Sequence, residues 1–192
     1  MLVWPLMWGG TVGAVIPARG DVEPCRTAEV FAPDEELQAD MTIALNGAAV
    51  TGSTLLDGVF WSAQLHQTSY ERSREFHLCG PDEPTLHNIA VALRDQFHQE
   101  AVLTFDYLPQ VPEANAAVIT VPGIDIARFR DAFAADSAAH ERLRGGSVTT
   151  ADRTLILIAG NGDLDVARRL VAETGANWSA SQITYGKSEF VS

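Results

Sequence analysis

The sequence predicts an α+β fold of ferredoxin-like character, with mainly antiparallel sheets and about three helices packed on one face. Three observations lead there. The stretch Ser73 to Tyr107 runs strand, turn, helix, strand. The stretch Arg153 to Tyr185 repeats that order, each time with a Gly-bearing turn and an Asp cap before the helix. Between them, Ala116 to Val121 is an all-apolar run suited to an interior strand, followed by a third helical segment. A single mixed sheet carrying all three helices is the alternative arrangement.

Taken in order, Met1 to Ile16 is an apolar run shorter than a membrane crossing and interrupted by Pro5 and three glycines, so no transmembrane helix is expected there. Ala18 offers a small-residue cleavage position. A basic leader region is missing, however, and Ile16 is a poor residue two places earlier. The compartment stays open, with the cytoplasm slightly ahead of a secreted or periplasmic location. Asp21 to Asp40 is polar, acidic and proline-bearing, the composition of a loop. Residues 1–40 are therefore assigned to an N-terminal apolar segment and loop. Residues 41–192 are assigned to the α+β domain, with two ferredoxin-like halves at 41–110 and 111–192.

Met41 to Leu45, Asn46-Gly47, and Ala48 to Thr51 match a hairpin, because Asn-Gly supplies the positive φ angles of a type I′ turn. Val59, Trp61, Ala63 and Leu65 alternate with Phe60, Ser62, Gln64 and His66, as in a strand with one buried face. Gln67-Thr68-Ser69 is expected to turn the chain back into a strand from Tyr70 to Cys79. Leu86, Ile89, Ala90, Leu93 and Phe97 then form the one-sided stripe of a helix started by Asp82 and Pro84. Asp125 caps a helix that stays helical in character to Leu143. Leu155 to Ala159 is the best candidate for a central strand, and Gly160-Asn161-Gly162-Asp163 leads into a helix ended by Gly175. Trp178 to Val191 supplies one or two closing strands broken near Gly186.

Composition narrows the function. With 13 basic and 25 acidic residues the net charge is −12, so the mean field repels a nucleic-acid backbone and an anionic membrane surface. Cys25 and Cys79 are the only cysteines, too few for a zinc knuckle. Two unrelated reduced thiols are the default reading, and a single Cys25–Cys79 disulfide in an oxidising compartment is the alternative.

His77 and Cys79, two apart on a strand, share a face with Glu75 beside them. An imidazole and a following helix N-terminus can lower a thiol pKa, which makes Cys79 with His77, and His66 as a third group, the candidate catalytic set. Half-buried packing is the plainer role for such a cysteine. His87 and His98 lie about 16 Å apart along one helix and cannot share a metal. The Gly160–Asp163 loop lacks the residues of a dinucleotide or phosphate loop and is expected to be a tight connection with an N-cap. Tyr70, Glu71, Arg72, Arg74 and Glu75 read as a solvated charged stripe. No cofactor and no metal site is expected.

The segment Leu56-Asp57-Gly58…Trp61…Glu71-Arg72-Ser73-Arg74…Gln99-Glu100-Ala101-Val102-Leu103 resembles small uncharacterised bacterial proteins of a domain-of-unknown-function type, in which a Gln-Glu-Ser-Val-Leu-like strand follows the helix. The resemblance covers about a quarter of the chain and departs at Ala101, where Ser is usual. It implies an α+β fold and an exported location, and it assigns no catalytic residue. Together these readings point to a soluble, non-enzymatic module that binds a small molecule or a protein partner, with a homodimer as one form. The second expectation is a thiol-dependent or hydrolytic enzyme using Cys79 and His77.

Overall fold

The computed structural model describes residue 25 and residues 27–62, 64–143 and 145–192. The described chain runs β1 (Ala28–Pro33), α1 (Glu36–Leu45), β2 (Ala49–Ser62), β3 (Gln67–Cys79), α2 (Glu83–Phe97), β4 (Val102–Tyr107), β5 (Ala116–Val121), α3 (Ile126–Ala135), α4 (Ser137–Arg142), β6 (Gly145–Thr149), β7 (Leu155–Gly160), α5 (Leu164–Glu173) and β8 (Gln182–Val191). A 3-10 turn at Trp178–Ala180 precedes β8.

All eight strands close into one antiparallel barrel in the order β1-β3-β2-β6-β7-β5-β8-β4, with β4 pairing back to β1. This corrects the expected ferredoxin-like α+β fold with about three helices on one face. The structure instead has a closed barrel with five α-helices among the described residues. Two long-range pairings make the difference. Leu56 to Phe60 of β2 pairs with Thr149 to Gly145 of β6, and Val102 to Tyr107 of β4 pairs with Val191 to Gly186 of β8. Strands that would be edges of an open sheet therefore satisfy each other's backbone groups.

Three apolar layers follow from the period-2 alternation of the strands. Val30, Phe76, Leu78 and Val102 point outward and are covered by Ala39 and Ile43 of α1 and Leu86, Ile89, Ala90 and Leu93 of α2. Ile119, Val121, Leu155 and Leu157 point outward on the other side under Phe129 and Phe133 of α3 and Val166, Leu170 and Val171 of α5. Inside the barrel, Leu56, Phe105, Ala116, Val118 and Ile156 pack with Phe31, Tyr107 and Ile158. Fully burying a side chain of the Leu, Ile or Phe type is worth about 1.5–3 kcal/mol, so these layers carry the fold.

Local signals set several element ends. Asp82 caps α2 by accepting from the Thr85 N–H at 2.9 Å, with Pro84 in the first turn, as its sequence position predicts. Asp125 caps α3 in the same way through Ala127 and Arg128. The helix expected to run to Leu143 is broken at Asp136, whose carboxylate accepts from Ala138 and Ala139 and starts α4.

Other expectations need correction. β1 and part of α1 occupy the stretch read as loop, and Met41 to Leu45 is helical, so Asn46-Gly47 joins a helix to a strand. Gly47 has φ +93°, which explains why the turn signal is there at all. The turn between β2 and β3 falls at Gln64–His66, and Gln67 to Ser69 already belong to β3. Asp163 makes no side-chain cap on α5 and takes the Arg142 guanidinium at 2.5 Å instead. β8 runs unbroken through Gly186. The readings for residues 1–24 lie outside the described residues.

Candidate functional site

At the barrel end where β2 turns into β3 and α2 hands over to β4, a cavity of about 470 Å³ opens into the lumen. Eight strands leave an interior wide enough for side chains to fill or for one small ligand, and here the filling is incomplete at one end. β3 supplies a polar wall, Ser69, Glu71 and Ser73, every second residue facing in. β6 adds Ser147, while Phe31, Phe60, Leu103, Ile156, Ile158 and Phe190 make the rest largely apolar.

Gly58 of β2 stands opposite Glu71 in register. A Cβ there would come within 3.1 Å of the Glu71 carbonyl oxygen and 3.4 Å of Ser147 Oγ, so the glycine keeps the lumen beside Glu71 clear. The Glu71 side chain is partly buried, and its carboxylate makes no hydrogen bond or ion pair with any described residue. Its burial pushes the carboxyl pKa up.

The alternation of β3 divides the charged stripe read from the sequence. Arg72 and Arg74 face outward. Arg72 meets Asp57 at 3.4 Å, and Arg74 meets Asp34 at 2.9 Å and Glu36 at 3.3 Å. Glu71 and Glu75 face inward.

Deeper in the lumen lies a second polar group. Glu29 and Glu75 are buried, and with His77 each can bring one ligand atom within 4.8 Å of the others, slightly wider than the ~4.2 Å that two ligands at about 2.1 Å from one divalent cation can span. Glu29 Oε1 accepts from the Tyr107 hydroxyl at 2.6 Å and lies 3.3 Å from His77 Nδ1. His77 Nε2 is 3.2 Å from Thr54 Oγ1. Such a set can share protons along a buried chain or hold a cation. Glu29 escaped the sequence reading because its strand looked like loop. The available signal was the alternation of Glu29 with Ala28 and Val30, which matches an element half-covered by helices.

The candidate catalytic set is not assembled. Cys79 is disulfide-bonded to Cys25, with Cα atoms 5.0 Å apart, so in this form it offers no thiolate. This corrects the default of two reduced thiols. Thr27 and Gly80 anchor the same corner, the Gly80 N–H donating to Thr27 Oγ1 at 2.6 Å. His77 does share the Cys79 face of β3, facing Glu29. His66 sits in the β2–β3 turn with φ +51°, and the strand between it and Cys79 spans roughly 40 Å at about 3.3 Å per residue. His98 ends α2 at the cavity mouth with φ +53°, and His87 pairs with Glu189 at 2.9 Å on the outside.

No protein-family model matches the chain, no curated protein matches it in sequence, and no solved structure matches it. The site is therefore interpreted from its own chemistry. Among the described residues no helix is long and apolar enough to cross a membrane.

Proposed function

We propose that the barrel is a non-enzymatic receptacle for a small amphipathic molecule, held in the open end of the lumen. The single observation carrying this reading is the cavity of about 470 Å³, a size in the range of ligand sites, with apolar walls and a few polar groups gathered on β3. Closure of the barrel favours a small occupant over a protein strand added at a sheet edge, because the edges are paired to each other. The Cys25–Cys79 disulfide supports an oxidising compartment as its working location.

Titration with the neutral dye Nile red tests the reading. Saturable fluorescence enhancement at one site per chain is expected, and Ser69→Phe, which adds a ring to the polar wall, is expected to abolish it while the far-ultraviolet circular dichroism is kept. Enhancement that is non-saturable or unchanged in Ser69→Phe refutes it.

A further inference from the structure

We infer that the occupant is an organic cation, an apolar body carrying a protonated amine, with the ammonium seated on the Glu71 carboxylate. This rests on the receptacle reading above and names its ligand class. Glu71 faces the lumen between Ser69 and Ser73 on β3, and Ser147 of β6 stands close beyond Gly58. One carboxylate and neighbouring hydroxyl oxygens suit an ammonium, which has three donors and no acceptor.

Charge favours the same choice. A partly buried carboxylate with no cation among the described residues leaves its desolvation uncompensated until a positive ligand arrives. Among the described lining residues the other titratable groups are His98 and Glu100, both at the mouth. The net charge of −12 favours a cationic over an anionic ligand. Phe31 and Phe60 also line the chamber and offer aromatic surface to the charged end or to an aromatic body. Burial also raises the Glu71 pKa, so a bound ammonium should be released as the pH falls and the carboxyl takes up its proton.

The test uses the intact oxidised protein and three probes of one shape, 1-naphthylmethylamine, 1-naphthylmethanol and 1-naphthylacetate, titrated by calorimetry at neutral pH. The amine is expected to bind at least about tenfold more tightly than the alcohol, with the acid weakest. Glu71→Gln should remove that preference while leaving the alcohol's affinity unchanged, and Glu100→Gln at the mouth should leave the preference in place. A second measurement needs no variant. In the wild-type protein the preference should vanish on acidification through the raised Glu71 pKa, although the amine itself stays protonated. Facing Glu71, β2 offers Gly58 and β6 offers Ser147; Glu75 lies two positions beyond Ser73 on the same strand face, and His98 and Glu100 stand at the mouth. Equal binding of amine and alcohol, or a preference that survives Glu71→Gln, overturns the cation assignment and leaves the receptacle standing. Tightest binding of the acid overturns it in favour of a protonated Glu71 pairing with a carboxyl group. Failure of all three probes to bind overturns both readings.

Discussion

Replacing both cysteines by serine should lower the thermal stability by an amount the structure fixes. The Cys25–Cys79 bond closes a loop with a sequence separation of 54, spanning β1, α1, β2 and β3. In the chain-entropy description a loop of that length restricts the unfolded chain by about 4 kcal/mol, the serine pair restoring that freedom. A domain of this size loses about 2–4 °C of melting temperature per kcal/mol, so the expected drop is about 8–16 °C. Thermal unfolding followed by circular dichroism would be compared for the oxidised protein, the protein in excess dithiothreitol, and the Cys25→Ser/Cys79→Ser variant. The reduced protein and the variant should melt together, well below the oxidised form, and the barrel spectrum should persist at low temperature because Thr27 still bonds Leu78 and Gly80 across the corner. A melting temperature unmoved by dithiothreitol would mean the two sulfurs are not joined, and the argument for an oxidising compartment would go with it.

Two further outcomes test the barrel itself. Gly186 lies where β8 crosses from β5 to β4, and a Cβ there would overlap the Asp106 carbonyl oxygen and the Phe105 ring, so Gly186→Ala should cost about 1–3 kcal/mol in urea unfolding. An equally stable variant would contradict the close approach at that seam. Asp136→Ala should cost about 1–2 kcal/mol at neutral pH, since its carboxylate both caps α4 and binds Arg169 at 3.0 Å. Burial pushes the Asp136 pKa up, but the Arg169 guanidinium and the Ala139 and Ala138 N–H groups outweigh it and hold the carboxyl below its ordinary range. A depressed folded-state pKa gives stability that is present above the unfolded value and lost as the pH falls through the folded one. The gap between wild type and variant should therefore narrow below about pH 4 in pH-resolved unfolding, and a gap that widens there would show the sign to be wrong.

What the residues revealed in advance was local. The apolar stripe of α2 with its Asp82 cap and the continuous runs of β5 and β7 are visible because one helix face or both strand faces are buried there. α1 was hidden because only Ala39 and Ile43 of its length are buried, while the exposed Met41 and Leu45 stand two residues either side of Ile43 and imitate a strand's alternation. Closure of the barrel was hidden for a different reason. The β2–β6 and β4–β8 pairings join segments far apart in the chain, and no short-range pattern encodes them. The site is hidden in the sequence because the polar residues of β3 have the pattern of a solvated stripe. Its outer face is in fact divided between helix-covered Phe76 and Leu78 and ion-paired Arg72 and Arg74. Ser69, Glu71, Ser73, Glu75 and His77 line the lumen. A strand whose two faces are both mixed is the signature of a barrel with a polar interior, and β3 carries it from Ser69 to His77.

The central claim is that the lumen, and not the helix-covered outside, receives the ligand. Methyl-resolved NMR of the oxidised protein during titration with 1-naphthylmethylamine addresses it directly. The account predicts saturable shifts at Leu103, Ile156 and Ile158, which line the cavity, with Ile119, Leu155 and Leu170 on the outer face unmoved. Shifts confined to the outer methyls, or no shifts at millimolar probe, would contradict it.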